Sequence, residues 1–277
     1  MIQDIYPHVY RNEYSPAQAG PRSYVLYYQK GSVFCRLNDN QLEFPRFEDL
    51  AEQEKIYETS RYLFSIDGVG YFLLSKQPTL RNEKFKMENI SCFRLAEPLH
   101  QAFAGITGYQ LYQWYGQNAY CGRCGKPMRH ADNERMLFCP ECKHTVYPKI
   151  SPAVIVAVID GERILMTKYK GREYTRYALI AGFNEIGETI EETVHREVME
   201  EVGLKVKNLK YYKSQPWSFS DTLLMGFFCQ LDGTDEIKLD LDELSLGEWI
   251  ERKDIPETDP RISLTNEMIC RFKNGER

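Results

Sequence analysis

Short apolar runs separated by turn residues open the chain, with RSYVLYY, GSVFCRL and YLFSIDGVGYFLLS following one another before residue 90. Runs of this length, rich in Tyr, Val and Phe, predict β-strands. The last predicts a hairpin, with strands around Tyr62–Ile66 and Tyr71–Ser75 joined across Asp67-Gly68. Between Asn89 and Gln117 the period changes. In LAEPLHQAFAGITGYQLYQWYGQ apolar residues return every three or four positions, which predicts a connecting helix. From Tyr147 onward, SPAVIVAVIDGERILMTKY predicts two strands around a tight turn at Asp160-Gly161. A loop, the run ALIAGF and an acidic segment come next, followed by strands at LKYYKSQPW and TLLMGFFCQL. In the acidic segment Ile190, Val194, Val198 and Val202 recur four apart and predict a helix over about Thr189–Val202. No repeat of fixed period and no low-complexity tract interrupts the pattern, which argues against a solenoid or a disordered tail.

A chain of 277 residues has room for two domains, or one large one, with a buried core. Its apolar share of 43% and charged share of 27% are those of a globular protein. A net charge of −5 argues against a broad nucleic-acid-binding surface but leaves room for a local basic groove. No run of eighteen apolar residues is present, so no transmembrane helix is expected. MIQDIYPHVYRNEY has neither the basic start nor the apolar stretch of a signal peptide.

The 8 cysteines change the picture by their spacing. Cys35, Cys92, Cys229 and Cys270 stand singly in apolar or mixed segments, as small hydrophobes do in a reducing, cytoplasmic compartment. The other four form two pairs, Cys121-x2-Cys124 and Cys139-x2-Cys142. Each pair can turn two thiolates toward one point, and two such knuckles complete a tetrahedral all-sulfur site suited to structural Zn2+. A site filled by protein has no open position for catalysis, so the metal's expected work is to fold the module. Gly122, Gly125 and Pro140 are expected to relieve strain at the knuckles. His130 and His144 are expected to be ordinary surface residues, and Arg123, Arg129 and Lys143 solvated charges.

The stretch GFNEIGETIEETVHREVMEEVG, from Gly182 to Gly203, carries seven glutamates. Glu197 and Glu201 are one turn apart on one helical face, with Glu200 between them in projection. They crowd the helix end where the macrodipole disfavours negative charge, and their mutual repulsion costs a few tenths of a kcal/mol, roughly, per pair. Two readings stand on the residues alone: a solvated acidic face, or an oxygen cluster for a divalent cation. The order of residues favours the second. Gly182, Glu188 and the run Arg196-Glu197-Val198-Met199-Glu200-Glu201-Val202-Gly203-Leu204 fill every fixed position of a pattern that resembles the Nudix box. The resemblance implies a Nudix hydrolase, an α/β/α sandwich with a mixed sheet. It also implies water attack on the phosphorus of a nucleoside diphosphate assisted by Mg2+ or Mn2+. Glu197, Glu200 and Glu201 are the implied metal ligands, and Arg196 is implied to hold the carboxylates in place. Gly182 is expected to allow a tight turn before the helix and Gly203 to end it. The general base stays open between Glu200 and a carboxylate outside the box.

The ribbon before the box and SQPWSFSDT after it resemble the NADH pyrophosphatase branch of that family. Ser214, Gln215, Pro216, Trp217 and Phe219 match the branch's downstream motif. Ser218 and Ser220 stand where it has prolines, and Thr222 where it has serine. The implied substrate contacts are Gln215, Pro216, Trp217, Ser218, Phe219, Ser220, Asp221 and Thr222, although Trp217 and Phe219 also read as core packing. The branch further implies a metal-binding carbonyl at Ala181 and a carboxylate ligand at Glu243. It places Phe183 and Tyr147 on either side of the nicotinamide, with Tyr147 reaching across a homodimer. Arg94 is a further candidate contact. Ser263-Leu264-Thr265 stands where the branch has a Ser/Thr-aliphatic-Ala motif. The organisation expected is an α+β domain with the connecting helix over 1–118, a zinc ribbon over 119–147 and a Nudix domain over 148–277. The expected activity is hydrolysis of NADH or NAD+ to nicotinamide mononucleotide and AMP. Its rivals are removal of the NAD cap from RNA, hydrolysis of ADP-ribose or a similar diphosphate, and a zinc-ribbon regulatory protein with an inactive Nudix domain.

Overall fold

A computed structural model describes the chain except residues 15–17, 52–53, 82–83, 172–175 and 277, so part of the expected loop after Tyr169 lies outside the described residues. It divides into two compact units. Ile2–Lys149 with Ser218–Ser220 form one, and Ile150–Trp217 and Asp221–Arg277 with Met1 form the other.

In the first unit the expected hairpin is present as Arg61–Ile66 and Val69–Leu73, and the turn at Asp67-Gly68 has positive φ at both residues. It forms a four-stranded sheet with Tyr10–Arg11 and Tyr24–Leu26, and a second small sheet is built around Ser32–Asn38. The connecting helix spans Leu99–Gln117 and is preceded by a short 3-10 helix at Ile90–Arg94. Pro98 is its N-cap, a place where the missing N–H costs nothing. Ala102, Ala104, Ile106, Leu111 and Trp114 are buried around most of its circumference, so it is the core of this unit and not a surface strut. Three two-residue strands, Arg129–His130, Leu137–Phe138 and Thr145–Val146, make the ribbon.

The second unit is labelled here in chain order: β1 Ser151–Asp160, β2 Arg163–Tyr169, β3 Ile180–Phe183, α1 Ile190–Val202, β4 Val206–Trp217, β5 Thr222–Leu231, β6 Leu244–Glu251 and α2 Leu264–Lys273. The sheet runs β4-β5-β1-β2-β6, with β3 beside the first half of β1. Among the described strands of this sheet β1 and β5 pair in parallel and the other pairings are antiparallel, so the sheet is mixed. Alternate residues of β1 serve opposite faces. Val154, Val156 and Val158 pack with Val194, Val198 and Val202 of α1. Ile155, Ala157 and Ile159 pack with Leu264, Met268, Ile269 and Phe272 of α2. Two buried faces explain why β1 reads as a continuous apolar run without alternation, and helices on both sides make the expected α/β/α sandwich. No helix among the described residues is long and apolar enough to cross a membrane.

Candidate active site

The acidic helix begins one residue inside the expected span. Thr189 is its N-cap: its hydroxyl accepts from Glu192 N at 3.2 Å, while Glu192 Oε2 accepts from Thr189 N at 2.7 Å. Glu192 is therefore the exposed half of a capping box. Gly203 ends the helix with φ of 68°. The buried stripe takes in Thr193, Val194, Glu197, Val198, Glu201 and Val202, so two of the three candidate metal ligands lie on the core-facing side. Glu200 points outward, with its side chain 60% exposed against 11% for Glu197.

Gly182 lies within β3, paired with Val154, and does not turn the chain. The left-handed glycine before the helix is Gly187, with φ of 96°. What Gly182 supplies is space: a Cβ there would sit 1.9–2.1 Å from the carboxyl atoms of Glu197. A strand backbone and a helix carboxylate are thus in direct contact, which only glycine permits. Burial raises the pKa of the Glu197 carboxyl above its usual range, the Arg196 charge opposes this, and the charges of Glu200 and Glu243 add to it.

Arg196 organises the centre. Its Nε and Nη2 donate to Glu188 Oε1 at 2.6 Å and Oε2 at 3.1 Å, a bidentate pair. Nη1 donates to Glu197 at 2.7 Å and Glu200 at 2.9 Å, and Nη2 also donates to the Phe183 carbonyl at 2.8 Å. The paired bond goes to Glu188, while the candidate ligands receive single bonds. Arg196 holds the Glu188 carboxyl down to a pKa of about 2. Ala181 N donates to Glu201 Oε1 at 3.4 Å, so β3 touches both buried glutamates. Glu243 is exposed, close enough to Glu197 for its charge to act. Among the described residues, only the four cysteines bring three or more potential ligand atoms within 4.8 Å of one another. The carboxylates are instead spaced by the guanidinium between them. A donor set of three carboxylates, two of them buried against a strand that leaves room for them, fits a hard divalent cation.

The downstream motif closes a hairpin. Trp217 ends β4, Thr222 begins β5 opposite it, and Ser218–Asp221 form the turn, with φ of 55° at Asp221. Gln215 is fully buried, and its Oε1 accepts from Leu264 N at 2.7 Å at the start of α2. Ser263 is the N-cap of α2, and Thr265 stands in its first turn. Ser218 and Thr222 are buried, Pro216 and Ser220 exposed, and Trp217 half-buried. Phe219 lies under the Arg94 guanidinium, 4.9 Å from its ring centre, and packs against the first unit's core. Phe183 and Tyr147 are 53% and 54% exposed.

In the ribbon, Cys121 Sγ lies 3.5 Å from Cys142 Sγ and Cys124 Sγ 3.4 Å from Cys139 Sγ. A Zn–S bond of about 2.3 Å would set tetrahedral sulfurs about 3.8 Å apart, so the cluster is of the right size. The knuckles match: Gly125 N donates to Cys121 O, and Lys143 N donates to Cys139 O. Gly125 and Lys143 both have positive φ, 72° and 61°. Lys143, and not Pro140, is therefore the counterpart of Gly125. His130 is also corrected. Its ring nitrogens lie 3.1 Å from the Tyr14 hydroxyl and 3.0 Å from the Tyr115 hydroxyl, and it stacks on Tyr14. It ties the ribbon into its unit, whereas His144 is exposed as expected.

Residues 149–270 match the family model described as NUDIX domain, and residues 117–147 match the NADH pyrophosphatase zinc ribbon domain. Among similar proteins is the NAD-capped RNA hydrolase NudC of Pectobacterium carotovorum subsp. carotovorum (strain PC1), 40% identical over 162 residues, 58% of this chain and 62% of that protein. The protein of the same name from Salmonella heidelberg (strain SL476) is 38% identical over 58% of this chain and 63% of its own. The match thus spans less than two thirds of these relatives' length.

Proposed function

From a chain that carries a NUDIX domain behind an NADH pyrophosphatase zinc ribbon, we propose that this protein hydrolyses the pyrophosphate bond of NADH or NAD+ to nicotinamide mononucleotide and AMP. The observation that carries the reading is the seat of Glu197 against Gly182, beside an Arg196 already clamped by Glu188. Glu197, Glu200, Glu201, the Ala181 carbonyl and Glu243 would hold Mg2+ or Mn2+. When bound, the cation neutralises charge on the diphosphate and lowers the pKa of water. Arg196 keeps the carboxylates spaced, and its own charge lessens their repulsion. The exposed rings of Phe183 and Tyr147 are proposed to stack on the nicotinamide, with Tyr147 acting across a homodimer in a cytoplasmic enzyme. Gln215, Pro216, Trp217, Ser218, Phe219, Ser220, Asp221 and Thr222 are proposed to shape the substrate pocket, Gln215 and Phe219 by the contacts described above. Purified protein incubated with Mn2+ and NADH should yield reduced nicotinamide mononucleotide and AMP on chromatography. Intact NADH alongside consumption of ADP-ribose would reject the substrate.

The names of the relatives favour a second reading at the same bond, removal of an NAD cap from RNA. Turnover of free NAD+ compared with that of a capped transcript separates the two.

A further inference from the structure

Thr193 is a polar residue with no exposed surface, on the buried stripe of α1 and outside the box positions. Its hydroxyl oxygen receives Asn184 Nδ2 at 2.7 Å and lies 2.9 Å from Glu188 Oε2 and 3.2 Å from the Thr189 carbonyl. A hydroxyl has one proton. With an amide N–H donating into its oxygen, that proton goes to one of two acceptors. The carboxylate is both closer and charged, so it wins over the peptide carbonyl. Asn184 Nδ2 is also 3.3 Å from the Glu188 carbonyl, and its own backbone N–H bonds Pro152 of β1 at 3.1 Å. The chain of contacts therefore runs from the sheet through Asn184, Thr193 and Glu188 to Arg196, and ends on Glu197 and Glu200.

We propose that Thr193, oriented by Asn184, is a positioning residue that fixes the Glu188 carboxylate and through it the Arg196 guanidinium. The proposal deepens the reading of the box carboxylates as metal ligands and rests on that reading for its consequence in catalysis. Glu188 Oε2 accepts from Thr193, Arg196 and Glu185 N, the last at 3.2 Å. Without the Thr193 hydroxyl, Glu188 keeps its bonds to Arg196 and Glu185 N but loses the one that ties its carboxylate to the buried face of α1. The bidentate geometry at Arg196 then loses its reference. Partners behind a metal ligand commonly shift metal affinity by roughly 10–100-fold when removed. Here the effect passes through one more side chain, so about ten-fold is expected.

The test compares T193V, which keeps the shape and removes the hydroxyl, with T193S, which restores it. The first readout needs neither metal nor substrate. The Arg196 Nε–H resonance in 15N NMR should exchange with solvent faster in T193V and match the parent protein in T193S. Mn2+ titration followed by EPR should show about ten-fold weaker binding in T193V and recovery in T193S. With NADH as substrate, kcat should fall with KM little changed. A T193V protein that melts earlier yet keeps the parent Nε–H exchange and Mn2+ affinity would overturn the proposal and leave Thr193 a packing residue. If the NMR shift appears but no tested diphosphate is hydrolysed by the parent protein, the positioning role stands and the functional reading falls.

Discussion

Glu197 owes its place to an atom that is missing. With a Cβ on residue 182 the carboxyl group would overlap it at 1.9 Å, so Gly182→Ala must expel the carboxylate, displace β3 or both. Burial, which raises the pKa of the Glu197 carboxyl, would end in either case. We expect G182A to fold but to bind Mn2+ at least ten-fold more weakly, the lower end of the range of roughly 10–100-fold seen for disturbed metal surroundings. Calorimetric Mn2+ titration checks this, and unchanged affinity would reject the contact as functional. Glu188 gives a pH prediction. Its carboxyl titrates at about 2 in the folded chain against an ordinary 4.5, because Arg196 and Thr193 bond the ionised form. A depressed carboxyl contributes stability that is whole above 4.5 and is lost as pH falls toward 2. The difference in unfolding midpoint between the parent protein and E188Q should be full at neutral pH and close across that window. Acid release of zinc affects both proteins and cancels in the difference. A gap that persists unchanged to pH 2 would reject the clamp.

At the scale of the element, α1 shows how far the sequence could be read. Its apolar stripe, its span and its glycine stop were legible, since all three follow from spacing alone. The same three-and-four spacing counted from Ile190 also lands on Thr193, Glu197 and Glu201, and the structure buries all three. The signal for Thr193 was therefore present: a polar residue on a core-facing position needs a partner. The Thr189-x-x-Glu192 spacing likewise announces the capping box. What spacing could not reveal was that Gly182 serves a close approach, because its neighbour there is distant in sequence. The partners of Gln215 and His130 were hidden for the same reason. The cap has a measurable consequence. Thr189→Ala should lower stability by about 1 kcal/mol in urea unfolding, and Thr189→Ser should restore most of it. Because Thr189 makes no bond to Arg196, Mn2+ affinity should hold in both variants.

At the scale of the whole molecule, the chain has two cores, one built on a buried helix and one on a sheet covered by helices on both faces. The ribbon has little core of its own. Leu137, Cys121, Cys139 and Ala131 are its buried apolar residues, and its strands are two residues long. Apolar burial on that scale cannot offset the chain entropy of ordering such a segment, at about 1–2 kcal/mol per residue for the backbone alone. The remainder must come from outside the hydrophobic effect. Four thiolates converging within 4.8 Å point to metal as its source. The backbone N–H of Cys142, aided by the Cys124 thiol and the Glu141 N–H, lowers the pKa of the Cys139 thiol to about 7 against the opposing effect of burial, which readies a sulfur for metal at neutral pH. Cys139→Ser should therefore take zinc from one equivalent per chain to near none by metal analysis. It should also open the ribbon to limited proteolysis around residues 120–146 while the second unit, with its own core, keeps its fold and melts as before. Zinc retained in full by C139S would refute the four-cysteine site, and loss of zinc with no gain in proteolysis would refute the claim that metal is what folds the ribbon.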